Sequence, residues 1–368
     1  MKAHRATAAV TARSQRHDSA SAPKLALTWL AALAAIGVLA LSGCGDDDGG
    51  EAAASGEKSV TYAVTSPIVP PQLPPYTGAL ISGKDFGLTM TEDNLKVLNS
   101  TPTALQLLLS GEIDVTSGAF LNYLQARDKQ DQLRAFCPEQ TTTNAVVVST
   151  NPNVTSLADL SQEGVRVLVE SPGGPNDFFM NESLKAAGVD LTVDELENTR
   201  IVENMEQRFA ALASGNADVG VVWNYNVADL QRALGEDRVH VLADFTDHPS
   251  VYLAYISTEK WLKEHADEAA AMCAAVLKTN KDLAADYALF KSKVDEYVEG
   301  HPPEQQVRMT WEAAHGSSMW PSDSGLAKSD VDPLLELARQ NGAIKQPLTY
   351  ADVVDPAPFR AAQRLLGQ

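Results

Sequence analysis

Residues 108–115 (LLSGEIDV) and 212–219 (LASGNADV) share the pattern Leu-x-Ser-Gly-x-x-Asp-Val, and this repeat predicts the fold. In both copies a helical pattern stops at a glycine, a residue suited to the left-handed conformation that ends many helices. An aspartate then precedes a short apolar strand, and the elements flanking the two copies also correspond. The repeat therefore predicts two related α/β lobes.

The stretches around the repeat alternate between short apolar strands and helices. Strand patterns at 165–169 (VRVLV) and 218–223 (DVGVVW) stand beside helical patterns at 175–187 and 207–214. Such alternation is typical of mainly parallel sheets flanked by helices. Helical periodicity dominates from residue 258 onward. We therefore expect this tail to pack on the sheet of the first lobe.

The first 43 residues have the layout of a secretory signal. An uncharged apolar run at 25–40 (LALTWLAALAAIGVLA) is shorter than the roughly 20 residues that span a bilayer. It closes at 41–44 (LSGC), which resembles the lipobox of bacterial lipoproteins and implies lipid on Cys44, with cleavage just before it. An uncleaved anchor helix is the alternative, and either form tethers an extracytoplasmic protein to the cell membrane. The basic residues that precede the run are Lys2, Arg5, Arg13, Arg16 and Lys24.

Charge and composition limit the possible partners. Residues 44–58 hold no large apolar side chain, so they predict a disordered tether. The formal net charge of the whole chain is −19, and cleavage of the signal would remove basic residues from it. An acidic surface repels nucleic acid and anionic lipid, so we expect no nucleic-acid binding and membrane contact only through the N-terminal lipid.

Cys137 and Cys273 are the cysteines that remain beside Cys44. An even pair outside the cytoplasm permits a disulfide, but Cys273 also lies in an Ala-rich helical pattern, where it could be a small buried hydrophobe. The histidines show no metal-ligand spacing, and no phosphate loop, nucleotide fingerprint or nucleophile elbow occurs. We therefore expect no metal, no cofactor and no enzymatic activity.

Three stretches carry a resemblance to a known family. They are 105–118 (LQLLLSGEIDVTSG), 154–174 (VTSLADLSQEGVRVLVESPGG) and 209–230 (FAALASGNADVGVVWNYNVADL). They resemble the substrate-binding proteins of ABC importers, and more narrowly the branch that binds nitrate, taurine, aliphatic sulfonates, thiamine precursors and riboflavin. The resemblance implies a type II periplasmic-binding fold, in which two lobes close on one small-molecule ligand and deliver it to an ABC permease and its ATPase. We expect such a protein to be a monomer.

The resemblance also implies where the lobes divide. The first lobe would begin with residues 59–148 and be completed, together with the C-terminal helices, by residues 255–368. The second lobe would be the insertion 149–254. The two hinge strands would then fall at 147–150 and 252–257.

Ligand-binding residues are expected in the loops that follow the strands, because open α/β sheets bind ligands at the carboxyl ends of their strands. In the loop 171–175 (SPGGP), Gly173 and Gly174 would let backbone amides approach a ligand at a helix N-terminus, although a plain strand-to-helix turn is the alternative. Prolines in this loop donate no amide hydrogen, and Asp177 would compete for the helix dipole. A strongly anionic ligand is therefore less assured than the family suggests.

Trp223 is the aromatic candidate, because its ring could stack on a planar or apolar ligand; burial in the core is the alternative. Asn224 beside it offers both a donor and an acceptor. The remaining candidates are small residues near strand ends that would let a ligand approach, namely Ser66, Ser117, Gly118, Ser149 and Ser171.

Together these features predict capture of a small organic molecule or anion that resembles a sulfonate, taurine or nitrate. A heterocycle resembling a thiamine pyrimidine or riboflavin is the alternative on the same fold. A ligand-sensing lipoprotein is the competitor from another class. Enzymes of thiamine-pyrimidine and menaquinone synthesis share the fold but act inside cells, whereas the signal predicts that this chain is exported.

Overall fold

A computed structural model describes residues 58–98, 100–170, 174–202, 204–247, 250–340 and 342–368. The predicted signal peptide, Cys44 and the tether up to residue 57 lie outside the described residues, as do Ser171 and Gly173. None of the helices in the described ranges is long and apolar enough to cross a bilayer.

Ten strands of the described residues form two five-stranded sheets. The strands are β1 (Tyr62–Val64), β2 (Leu95–Val97), β3 (Val115–Ala119), β4 (Leu133–Gln140), β5 (Ala145–Ser149), β6 (Arg166–Val169), β7 (Asn198–Ile201), β8 (Val219–Trp223), β9 (His240–Asp244) and β10 (Leu253–Thr258). Their orders in the sheets are β2-β1-β3-β10-β4 and β7-β6-β8-β5-β9. In each sheet three neighbouring strands run parallel, whereas the strand arriving from the other sheet, β5 or β10, runs antiparallel to both neighbours. The predicted α/β class with two sheets flanked by helices is confirmed, but the sheets are mixed, because parallel and antiparallel pairings are equally frequent in each.

Helices cover both faces of each sheet. Their bounds are α1 (Leu73–Ser82), α2 (Thr101–Ser110), α3 (Phe120–Arg127), α4 (Pro175–Ala186), α5 (Met205–Ala213), α6 (Asn226–Leu234), α7 (Glu259–Glu264), α8 (Ala266–Ala285), α9 (Tyr287–Tyr297), α10 (Glu304–His315), α11 (Lys328–Gln340), α12 (Tyr350–Val353) and α13 (Ala357–Leu365). Apolar residues of α1, α8 and α13 pack on one face of the first sheet, and those of α2, α3 and α11 pack on the other. The second sheet is covered by α4 on one face and by α5 and α6 on the other.

The sequence repeat marks two equivalent helix-to-strand joints. Gly111 after α2 has a φ of 77°, and Gly215 after α5 has a φ of 71°, so both adopt the left-handed conformation that favours glycine. The Asp114 carboxylate accepts a hydrogen bond from the Thr61 backbone N–H at 2.8 Å, beside β1. Asp218 accepts one from the Arg166 backbone N–H at 2.9 Å, at the start of β6. The repeated aspartate therefore ties each joint to the neighbouring parallel strand.

The helical tail packs on the first sheet, as predicted, and α8 approaches α1 closely. A Cβ added to Gly78 of α1 would lie 2.7 Å from the Val276 Cα of α8, which leaves room only for glycine. Cys273 of α8 forms a disulfide with Cys137 of β4. The bridge ties this buried helix to the sheet beneath it.

The predicted hinge at 147–150 is wrong. Most of it lies inside β5, which belongs to the second sheet, so the first crossing between the sheets occurs at residues 141–144. The second crossing lies between the end of β9 at Asp244 and the start of β10 at Leu253, and most of the predicted hinge at 252–257 forms β10 of the first sheet. The β-branched run around Val147 suits a central strand of either sheet, so its composition could not locate the crossing.

Candidate functional site

In each sheet the parallel strands end at one edge, and these two carboxyl-terminal edges face one another. Residues 141–144 join the end of β4 directly to the start of β5, where Ala145 pairs with Trp223 at the end of β8. Parallel strands end at a common edge, so the ends of β1 and β3 in one sheet lie opposite those of β6 and β8 in the other. Ligands of open α/β sheets bind at such edges. We call the space between these two edges the interlobe site.

The wall from the first sheet is formed by buried and half-buried polar side chains. The Ser66 hydroxyl, just after β1, lies 3.0 Å from the Tyr76 hydroxyl of α1. Ser117 and Glu139 are both fully buried, and neither the Ser117 hydroxyl nor either Glu139 carboxylate oxygen has a hydrogen-bond partner of normal geometry among the described residues. Unsatisfied buried polar groups are rare and point to a missing partner.

Glu139 dominates the electrostatics of this wall. Burial raises the pKa of Glu139 well above its usual range, and the nearby Ser117 hydroxyl opposes that shift only in part. Burial likewise raises the pKa of Tyr76 to about 12; the hydrogen bond with Ser66 opposes this shift, and the Glu139 charge adds to it.

The wall from the second sheet begins at α4. Gly174 is its N-cap, and the Asn176 backbone N–H donates to the Glu170 carboxylate at 3.3 Å. Arg208 of α5 is 1% exposed and donates to the backbone carbonyls of Val202 and Val221. Burial lowers the pKa of Arg208, and the charge of Glu170 acts against that shift. A protein carboxylate therefore accepts a hydrogen bond from the first turn of α4.

Trp223 and Asn224 lie at the end of β8, as predicted. Trp223 is 8% exposed and stacks on Tyr225, with ring centroids 6.4 Å apart. The Asn224 side-chain oxygen accepts from the Asn144 side-chain nitrogen at 3.3 Å, and the same nitrogen lies 3.4 Å from the Thr310 hydroxyl of α10. Asn144 therefore links the end of β8 to a helix of the C-terminal tail.

Two predicted ligand residues lie elsewhere. Gly118 is inside β3, where an added Cβ would meet Ile256 at 3.3 Å and Thr101 at 3.4 Å, so it serves the packing of α2 on the sheet. Ser149 pairs with Val219 at the start of β8 and therefore lies at the edge opposite the interlobe site, because β5 runs antiparallel to β8. Ser117 also lies within β3 rather than after it.

Sequence reasoning missed the polar crossing itself. Residues 139–144 (EQTTTN), which comprise the last two residues of β4 and the crossing 141–144, are all buried although their side chains are polar. A polar run between two strand patterns was the available signal, but only the fold shows that it is buried. The structure also brings Tyr76, Glu170, Asn176 and Tyr252 to this region.

No group of three or more His, Cys, Asp or Glu side chains that could hold a metal occurs in the part of the chain that the structure describes. Two surface cavities lie outside the site walls described above. One of about 410 Å³ is lined by Asp85, Lys278 and Leu366 among others. Another of about 520 Å³ lies between α4 and α11, beside Asp247 and Ser250.

The model of the family described as "ABC transporter, phosphonate, periplasmic substrate-binding protein" matches residues 89–302. No curated protein matches the chain. The fold is similar to that of a putative periplasmic sulfonate-binding protein from Methylobacillus flagellatus, at 18% identity and a TM-score of 0.64, covering 84% of this chain and 95% of that one.

Two further solved structures are similar. The periplasmic aliphatic sulphonate-binding protein of Escherichia coli is 15% identical, with a TM-score of 0.63, and covers 85% of this chain and 100% of its own. The periplasmic nitrate-binding protein of Synechocystis PCC 6803 is 13% identical, with a TM-score of 0.61, and covers 84% of this chain and 89% of its own. At these identities the likeness establishes the fold, and the predicted periplasmic-binding fold is confirmed.

Proposed function

The chain belongs to the family of phosphonate periplasmic substrate-binding proteins of ABC transporters, and from this membership we propose how it binds its substrate. It is a transport protein rather than an enzyme, and it works outside the cytoplasm as the binding component of an importer. We propose that it captures a small molecule between the two sheets and presents it to the permease.

The interlobe site is the observation that supports this proposal. The two sheets are joined by two crossings, one at 141–144 and one between β9 and β10. Buried polar groups without partners stand on both sides, including Glu139 on one and Asn176 on the other. A ligand that contacts both walls would favour the closed arrangement over an open one, since binding shifts a hinge equilibrium through differential contacts.

The two crossings between the sheets support a division of the chain into two lobes. We propose a first lobe that begins at residue 59 and is completed by the tail from β10 onward, with the second lobe between the crossings. Lipid on Cys44 would hold a monomer at the membrane through residues 45–58, close to the permease and its ATPase.

The ligand contacts are proposed from both walls. Ser66 and Ser117 would contact the ligand from the first lobe, and Gly174, Trp223 and Asn224 from the second, together with the loop that contains Ser171 and Gly173. The similar proteins are sulfonate- and nitrate-binding, so a small organic molecule or anion is the class to screen first. The stacked pair of Trp223 and Tyr225 favours a planar heterocycle as the second class to screen.

Small-angle X-ray scattering tests the capture mechanism. The purified protein is titrated with ligands found by thermal-shift screening of sulfonates, phosphonates, nitrate, pyrimidines, flavins, amines and amidines. A ligand at 100 times its Kd should stabilise the protein by about 2.7 kcal/mol. The radius of gyration should fall at saturation. A profile that stays unchanged with every bound ligand would contradict closure of two lobes.

A further inference from the structure

Most of the buried polar atoms that lack a hydrogen-bond partner among the described residues are hydrogen-bond acceptors. A ligand that satisfies acceptors must bring donors. The Asn and Gln side chains in this set also carry an N–H donor, whereas an ionised carboxylate only accepts. Glu139 is therefore the residue of this set that discriminates most between ligands. The amide and carboxylate oxygens without partners among the described residues are Gln72 Oε1, both Glu139 oxygens, Gln140 Oε1, Asn144 Oδ1, Asn176 Oδ1, Asn226 Oδ1 and Asn280 Oδ1.

The N-terminus of α4, where the family resemblance implies an anion, already contacts a carboxylate of the protein. Pro175 at the first helical position has no N–H, and the next N–H, that of Asn176, donates to Glu170 at 3.3 Å. Asp177 adds a second, buried carboxylate to the same turn. These carboxylates compete with an incoming oxyanion for the positive end of the helix dipole.

Arg208, the buried cation beside this turn, donates its hydrogen bonds to groups of the protein. Arg208 donates to the carbonyl oxygens of Val202 and Val221, and the charge of Glu170 acts on it. On the second wall the charges of Glu170 and Arg208 offset one another, so the ionisation of Glu139 on the first wall decides which ligand charge the site favours.

We propose that the interlobe site selects a ligand with a cationic N–H donor group, an ammonium or amidinium, rather than an oxyanion. Glu139 would be the ion-pair partner from the first lobe, with Asn176 as an acceptor from the second. This proposal rests on the proposed function, because it names the substrate class of the same site.

Cation binding would also change the protonation of Glu139. Its neighbours are Ser117 of β3 and the tyrosines Tyr62, Tyr76 and Tyr255 of β1, α1 and β10, which supply no positive charge. Burial raises the pKa of Glu139, whereas a bound cation would lower it. Binding of a cationic probe should therefore release protons, and its affinity should rise with pH.

Three isosteric probes test the proposal by NMR titration of the purified protein: acetamidinium, acetamide and acetate. Acetamidinium should bind at least about tenfold more tightly than acetate, and Glu139→Gln should weaken its binding about tenfold. Glu299→Gln, which removes an exposed carboxylate, is the matched control and should leave the affinity unchanged. Calorimetry in buffers of different ionisation enthalpy should detect proton release in the wild type, and this readout remains if Glu139→Gln does not fold.

The proposal is overturned if acetate, methylphosphonate or ethanesulfonate binds more tightly than acetamidinium, or if acetamidinium does not bind. It is also overturned if acetamidinium binds without proton release, or if Glu139→Gln folds and binds it as the wild type does. If an oxyanion binds and makes the protein more compact, the proposed cationic ligand class is refuted, but the proposed capture of a ligand between two lobes is supported. If acetamidinium binds at Glu139 but no ligand makes the protein more compact, the cationic ligand class is supported and the proposed closure of two lobes is refuted.

Discussion

At the scale of single residues, Glu139 sets the pH response of the protein. Its carboxyl is fully buried, and its hydrogen-bonding capacity is unfilled among the described residues. Because burial raises its folded pKa above the ordinary value of 4.5, the folded state holds its proton to higher pH than the unfolded state does. This contribution to stability is fully present below about pH 4.5 and is lost as pH rises toward the folded pKa.

We predict that Glu139→Gln removes this dependence. Relative to the variant, the wild type should lose free energy of unfolding as pH rises from about 4.5 toward the folded pKa of Glu139, since only the wild type must bury an ionisable carboxyl. Urea unfolding of both proteins across this range measures the difference. Glu299→Gln serves again as the exposed control. A wild-type-minus-variant difference that is constant with pH would show that Glu139 is not held protonated.

At the scale of elements, the contact between α1 and α8 determines how the tail covers the first sheet. Gly78 lies inside α1, where alanine would normally be preferred by about 1 kcal/mol. The Val276 Cα lies 2.7 Å from the place where its Cβ would stand, so the backbone of α8 would have to move. Glycine at this helical position is explained by packing rather than by helix propensity.

Gly78→Ala should therefore destabilise the protein by about 1 to 3 kcal/mol through overpacking. Adding Val276→Ala should not restore stability, because the closest atom belongs to the backbone. Gly316→Ala is the control, since its added Cβ meets only the Glu312 carbonyl oxygen, at 3.3 Å, and we expect a smaller loss there. Denaturant midpoints measure all of these variants. A stabilised Gly78→Ala protein would mean that the helices lie farther apart.

At the scale of the whole molecule, the disulfide encloses one entire sheet. Cys137 and Cys273 are 136 positions apart in sequence, and the second sheet with both crossings lies between them. Closing so long a loop restricts the unfolded chain, while the bridge itself lies in the first sheet and its covering helix. The second lobe can therefore move on its two crossings without straining the bridge.

The double variant Cys137→Ala/Cys273→Ala should lose about 2 to 4 kcal/mol of stability. Urea unfolding measures this loss, and scattering should show that ligand-induced compaction persists. Reductant should lower the stability of the wild type and leave the double variant unchanged. Equal stability of the two proteins under oxidising conditions would show that the bridge does not form in solution.

Much of the fold could be predicted from the sequence, because its signals are local in the chain. The repeat around Gly111 and Gly215, with its aspartates, encodes a helix end and a strand start within a few residues. The alternation of strands and helices then predicts the sheets, and Trp223 was correctly located at a strand end. These features depend on backbone conformation and on hydrophobic periodicity, which neighbouring residues determine.

Only the tertiary structure decided where the chain crosses between the sheets and which polar groups are buried there. Residues 139–144 have the composition of an exposed loop, and they are buried because β10, α8 and α10 come from distant parts of the chain to cover them. The hydrogen bond from the Asn176 backbone to Glu170 depends on how the loop before α4 folds back. Burial and hydrogen-bond partnership are properties of the assembled chain, so residue types could suggest a ligand site, whereas its charge preference had to be inferred from the contacts.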